Sequence, residues 1–172
     1  IGYGASGRNG GFVLTGYAAP FDSIARKVGQ DKAQELFNIS REAQSLIRQR
    51  IKNHNIKCNP VSGTLSASWF NNPEMIKQKV EQDKKIHNLN SHFVTREELR
   101  EICRTDKYYD GILYPENFHM HVLEYQYGIA EAICSQGGMI FENSMAIDVE
   151  RQNSDILVTT HNGQVLAKDI VY

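Results

Sequence analysis

The stretch Gly4-Ala5-Ser6-Gly7-Arg8-Asn9-Gly10-Gly11 is where residue types and spacing most clearly point to chemistry. Glycines let a backbone approach a ligand closely, and Ser6, Arg8 and Asn9 set a hydroxyl, a guanidinium and an amide among them. Successive backbone N–H groups in such a loop form a concavity that suits an anion. The chemistry this implies is the holding of a phosphate or of the polar edge of a ring. A loop that merely turns would also be rich in glycine, but it has no use for three such polar side chains. A P-loop is excluded, because no Gly-Lys-Ser/Thr ending follows and no strand precedes within the chain.

Other residues carry weaker signals. His119 and His121 have the wrong spacing for a shared metal if they begin a helix, since i and i+2 point about 200° apart and no nearby acid or Cys completes a ligand set. Tyr108, Tyr109, Tyr114 and His119 follow a distinct middle segment and are candidates to face a substrate, with packing as the alternative. The run Glu81, Asp83, Lys84, Lys85 reads as a solvated helix face, and Trp69 as a core anchor. No general base is assigned.

The elements that must position these residues follow from periodicity. Six glycines between Gly2 and Gly16 mark a loop. A short helix over 22–28, capped by Asp22 and stopped by Gly29, leads to a long one capped by Asp31 and ending near Asn53, with Leu36, Ile39, Ala43, Leu46, Ile47 and Ile51 as its packing face. A strand is expected over 63–70. A Lys-rich helix follows, opened by Asn72-Pro73-Glu74, and then a short helix opened by the capping box Thr95-Arg96-Glu97-Glu98. A turn and strand over 108–115 precede a helix over 119–136, which Gly137-Gly138 ends. Strands are expected over 139–142, 145–151, 156–160 and 165–171, the last two joined by a turn at Asn162-Gly163.

Composition sets the frame. The 172 residues suffice for one ordinary domain or two small lobes, and 41% hydrophobic content suffices for a core. A net charge of −1, from 19 basic and 20 acidic residues spread along the chain, gives no footprint for nucleic acid or an anionic membrane. Cys58, Cys103 and Cys134 are odd in number and far apart, which argues against a disulfide framework and fits a reducing, cytoplasmic setting. No apolar run approaches the roughly 18 residues of a membrane span. An opening at Ile1 within a glycine motif and an ending at Tyr172 within a strand-like run are expected of a fragment.

The eight residues 4–11 resemble the flavin-contacting loop of the D-amino-acid oxidase-like FAD-dependent oxidoreductases. The resemblance continues in order through Gly63-Thr64-Leu65, Tyr109-Asp110-Gly111-Ile112-Leu113-Tyr114, His119-Met120-His121, Gly128-Ile129-Ala130 and Gly138-Met139-Ile140-Phe141-Glu142-Asn143-Ser144. Within that family the chain is most similar to the gamma-glutamylputrescine oxidoreductases. The resemblance implies FAD as cofactor, with Ser6, Gly7, Arg8, Asn9, Gly10 and Gly11 lining its pyrophosphate, ribityl and isoalloxazine parts. It also implies a main-chain contact from Ala146 to the adenine side, where the family more often has Val, while Val122 stands where relatives usually place Pro. The N-terminal strand–loop–helix that grips the dinucleotide, with its ribose-binding acid, and the C-terminal flavin and substrate contacts are not among these residues. The implied reaction is hydride transfer to flavin from a carbon next to nitrogen in a small-molecule amine or amino acid, leaving an imine that water hydrolyses.

The expected fold class is α/β, mixed α+β in this fragment: part of an FAD/NAD(P)-binding domain plus part of a substrate-side lobe. Residues 1–59 and 119–172 are assigned to the FAD domain and 60–118 to the substrate side. The isolated chain is expected to be inactive, and its unpaired strand edges to be covered by self-association. Two other classes remain open: a non-enzymatic protein-interaction module whose glycine loop only connects, and a nicotinamide or other nucleotide enzyme.

Overall fold

The computed structural model describes residues 1–171, which form two units, one over Gly2–Ile129 and one from Ala130 onward together with Ile1. A 3-10 turn at Ala5–Gly7 opens the first unit. Then come β1 (Phe12–Val13), α1 (Phe21–Val28), α2 (Gln30–Asn53), β2 (Val61–Ala67), α3 (Pro73–His87), β3 (His92–Val94), α4 (Arg96–Cys103), β4 (Gly111–His119) and α5 (Val122–Ser135), along which the chain passes into the second unit. The second unit adds β5 (Ala146–Gln152), β6 (Asp155–Thr160) and β7 (Gly163–Ala167).

The sheet of the first unit is antiparallel and centred on β4, which pairs with β1, β2 and β3. Its register sets His119 opposite both Phe12 and Val61, and Thr64 opposite Tyr114, with a bulge between Ser62 and Thr64. Strands from the expected flavin part and the expected substrate part therefore share one sheet. The core is built where α2 ends: Ile51, Ile56, Cys58, Phe118 and Tyr125 cluster, with Val13, Ile47, Met120 and Ile129 packed around them. Gly128 of α5 lies so close to Ile56 that a side chain there would collide with it.

Several expected elements shift. In α2 the buried residues are Ala33, Phe37, Gln44 and Ile51, whereas Ile39, Ala43 and Leu46 are exposed. The helix presents two apolar stripes, and packing takes the one that includes polar Gln44, because its amide donates to Val13 O at 3.1 Å and to Asn117 Oδ1 at 3.0 Å. Asp22 and Asp31 sit inside first turns instead of capping them, and α1 stops at Gly29 as expected. The helix expected from His119 starts at Val122, since pairing with Phe12 and Val61 holds His119 extended. His121 then caps α5, its carbonyl accepting from Tyr125 N at 3.0 Å and its Nδ1 from Glu124 N at 3.3 Å. Trp69 lies beyond the end of β2, 60% exposed, with its ring edge-on to Tyr108 at 4.7 Å.

In the second unit β5, β6 and β7 form an antiparallel meander, and residues 139–142 form no strand. The β6–β7 hairpin is present, but its turn is His161-Asn162, with Gly163 already paired to Thr160. A left-handed asparagine, Asn153 (φ +58°), instead makes the turn between β5 and β6. No described helix is long and apolar enough to cross a membrane.

Candidate functional site: the glycine loop and the adjoining cavity

The glycine loop owes its shape to its own residues. Gly7 N and Arg8 N donate to Gly4 O and Ala5 O at 3.3 and 3.2 Å, closing the 3-10 turn. Asn9 ties the turn to the strand that follows: its amide nitrogen donates to Ala5 O and Ser6 O at 3.0 and 3.2 Å, and its Oδ1 accepts from Gly11 N at 2.9 Å. The Asn9 side chain thus holds the loop together. Arg8 extends over the Tyr3 ring, its guanidinium carbon 4.4 Å from the centroid, and both residues are exposed.

Two glycines let the loop sit where it does. A side chain on Gly7 would run into the Gly2 carbonyl, and one on Gly11, which has φ +73°, would run into the Met120 carbonyl. Met120 N also donates to Gly11 O at 3.0 Å, so the loop is fixed against the residues that lead into α5. Gly2 lies against Leu123 in the first turn of that helix. The loop is consequently packed beside a helix N-terminus, whose partial positive charge suits an anion. Gly2, Gly4 and Gly7 have the spacing of a dinucleotide fingerprint, but a strand and not a helix follows them, so they do not form that motif.

Of the seven expected contact residues, Ser6, Gly7, Arg8, Asn9, Gly10 and Gly11 stand together in this loop. Ala146 belongs to the second unit, exposed at the first position of β5 and opposite Thr160.

Beyond Gly11 the chain enters β1, and Phe12 forms part of the wall of a partly open cavity of about 530 Å³ lined by residues of the first unit. Its polar floor comes from α3 and the sheet. Asp83, 2% exposed, accepts from Lys79 Nζ on Oδ1 at 2.6 Å and from the Tyr114 hydroxyl on Oδ2 at 2.9 Å. Burial, and then the negative charge and hydrogen bond of Asp83, push the Tyr114 phenol well above its ordinary range, so it stays protonated. His87 stacks on Phe37 at 4.2 Å and meets Phe21 edge-on at 4.4 Å, and burial followed by the Lys79 charge lowers its pKa. Thr64 also lines this cavity, its Oγ1 buried and without a hydrogen-bond partner among the described residues.

Among the tyrosines considered from sequence, Tyr114 is the one in the cavity. Tyr108 packs on Trp69, and Tyr109 lies under the Arg96 guanidinium at 4.7 Å. Asp83, far from being a solvated charge, is the most buried acid of the α3 run. The signal that would have found it is the spacing of Val80, Asp83 and His87, the buried residues of α3, which lie on one helical face.

Known proteins bear on this geometry. The chain is 31% identical over 173 residues to a probable oxidoreductase OrdL of Haemophilus influenzae and 30% identical over 173 residues to gamma-glutamylputrescine oxidoreductase of Escherichia coli, in each case with 99% of this chain and 40% of that protein covered. It therefore spans about two fifths of the length of these curated relatives. Among solved structures, glycine oxidase from Geobacillus kaustophilus superposes with a TM-score of 0.68 at 16% identity, over 98% of this chain and 44% of that one. Glycine oxidase from Bacillus cereus gives 0.64 at 20% identity, over 94% and 42%. These two show the shared fold. A match to the DAO family, described as FAD dependent oxidoreductase, runs over residues 1–171, and the chain belongs to that family.

Proposed function

We propose that the protein of which this chain is a part oxidises a C–N bond of a small amine or amino acid, and that Ser6, Gly7, Arg8, Asn9, Gly10 and Gly11 hold the flavin end of its FAD. The observation that carries this reading is the internal stapling of the loop by Asn9. With that amide turned inward, Ser6, Asn9 and Gly10 keep backbone N–H groups that no hydrogen bond among the described residues takes up. Such a row, with the Arg8 guanidinium and the start of α5 alongside, fits the phosphate and ring edge of a flavin nucleotide. The glycine-lined cradle is preorganised, because its shape depends on backbone contacts at Gly2, Gly7 and Met120.

The chemistry FAD supplies when bound is acceptance of a hydride from the carbon next to nitrogen, after which water hydrolyses the imine. The residues of this chain bind and orient; none is assigned as a proton acceptor. The substrate class is supported by the named activity of the Escherichia coli relative, and an adenine-side main-chain contact at Ala146 is part of the same proposal. So is the division into flavin-domain segments at 1–59 and 119–172 around a substrate-side segment at 60–118.

The test is an FAD titration, followed by flavin fluorescence and calorimetry, of this chain and of a protein extended to the full length of the relatives. The extended protein is expected to bind FAD. Arg8→Ala should weaken binding by roughly tenfold through loss of a charge-assisted contact, and Asn9→Ala should do so by loosening the loop. A folded extended protein that takes up no FAD would sink the proposal.

A further inference from the structure

We infer that Asn117 and Gln44 are positioning residues of the flavin loop: they set the register of β1 on β4, and through it the place of residues 6–11. The inference rests on the reading of those residues as flavin contacts and concerns what holds them where they are.

Strand pairing alone does not fix this register. β1 is two residues long and, among the described residues, has β4 as its one neighbour. Phe12, Val13 and Leu14 are all apolar, so their types offer no alternation that would select a face. A slip of one residue would turn the side chains of the strand to the opposite face and carry the loop along by about 3.3 Å. Gly11 would then leave Met120, whose carbonyl it fits against for want of a side chain and whose N–H it accepts from at 3.0 Å.

A buried polar cluster supplies the missing choice. Gln44 on α2 and Asn117 on β4 are 7% and 8% exposed. Asn117 Oδ1 accepts from Thr15 N and Thr15 Oγ1, both at 3.1 Å, and from Gln44 Nε2 at 3.0 Å. Gln44 Nε2 also donates to Val13 O at 3.1 Å. These partners fix which way each amide faces, because only an oxygen accepts from the Thr15 N–H and only a nitrogen donates to the Val13 carbonyl. Thr15 is the one residue between Phe12 and Tyr17 with a short hydroxyl side chain. A chain shifted by one place would bring Leu14 or Gly16 to Asn117 and leave its oxygen short of a donor. Just beyond, Gly16 N donates to Ser40 Oγ at 2.9 Å, which ties the far end of the segment to α2 as well. A buried polar cluster of this kind selects one arrangement over its neighbours, since each alternative leaves some of its groups unpaired.

The test separates position from stability. Gln44→Met combined with Asn117→Leu removes the cluster but keeps side chains of similar shape, and Asn117 borders the cavity, which has room for the added methyl groups. In NMR spectra of this chain without flavin, the amide signals of Gly11 and Val13 should split or broaden, and the cross-strand contact between Phe12 and His119 should weaken. Thr95→Ala, which loosens α4 instead, should leave these signals single. In the protein extended to the full length of the relatives, the double variant should bind FAD more weakly by the reciprocal of the fraction left in the native register, about tenfold if that fraction falls to a tenth. Should the double variant fail to fold, Thr15→Val and Thr15→Ser replace it: the first loses the hydroxyl and should split the signals, the second keeps it and should not. Single, unshifted signals in the double variant, identical spectra for the two Thr15 variants, or undiminished FAD affinity in the extended double variant overturns the inference. An extended parent protein that takes up no FAD would remove the flavin reading alone, because the register is read from this chain without flavin.

Discussion

Protonating His87 would place a charge between the rings of Phe21 and Phe37, on a side chain that is 6% exposed. Burial dominates its lowered pKa and the nearby Lys79 adds to it, while Asp83 and Asp22 pull the other way without prevailing. A depressed folded value means that the unfolded chain binds the proton first as pH falls below 6.5. Stability contributed by neutral His87 is therefore present above that pH and lost on acidification through the folded value. His87→Phe keeps a ring in the stack and removes the titrating group, so its melting temperature should fall less steeply with acid than that of the parent chain. Parallel profiles of melting temperature against pH would show that His87 is protonated freely in the folded state.

At this scale the glycine loop could be located because its residues are local: Ser6, Arg8 and Asn9 lie within four positions of one another among glycines. The inward turn of the Asn9 amide could not be foreseen, since an amide flanked by glycines reads equally as a ligand contact. Asp83 was misjudged for a different reason. Its burial depends on Tyr114, 31 residues away, and a run of charges on a helix gives no sign of which one a distant strand will cover.

At the scale of elements, termini with side-chain caps were the ones that sequence located well. Thr95 Oγ1 accepts from Glu98 N at 3.3 Å while Glu98 Oε2 accepts from Thr95 N at 2.8 Å, a reciprocal pair written into Thr95-Arg96-Glu97-Glu98. The eight-residue α4 has little internal cooperativity, so this cap and the packing of buried Leu99 hold it. Thr95→Ala is expected to destabilise the chain by about 1 kcal/mol, with faster amide exchange confined to α4. Uniformly faster exchange would mean instead that α4 and the rest of the unit open together. The boundaries that sequence missed, at the ends of β4 and α5, are set by pairing with β1, whose neighbour Thr15 bonds to Asn117 across 102 residues. No local pattern carries that information.

For the whole chain, the question is what covers the strands that have no neighbour. In the second unit β6 lies between β5 and β7, so each outer strand leaves one edge unpaired among the described residues. Val149, Val158 and Val165 stand in register across the three strands, and the first and last are exposed. Neither edge carries the proline or bulged, lysine-rich character that keeps natural edges apart over its full length; the bulge near Ala146 touches only the start of β5. Edge-to-edge pairing of two copies would satisfy these backbone groups and bury the valines. The sedimentation coefficient of this chain should thus rise with concentration, and Val149→Lys combined with Val165→Lys should hold it at the monomer value by placing charges at both edges. A parent chain that stays monomeric at high concentration would remove self-association from the account. Association that survives both lysines would move the contact to another surface, with the exposed stripe of Ile39, Ala43 and Leu46 on α2 the next to change.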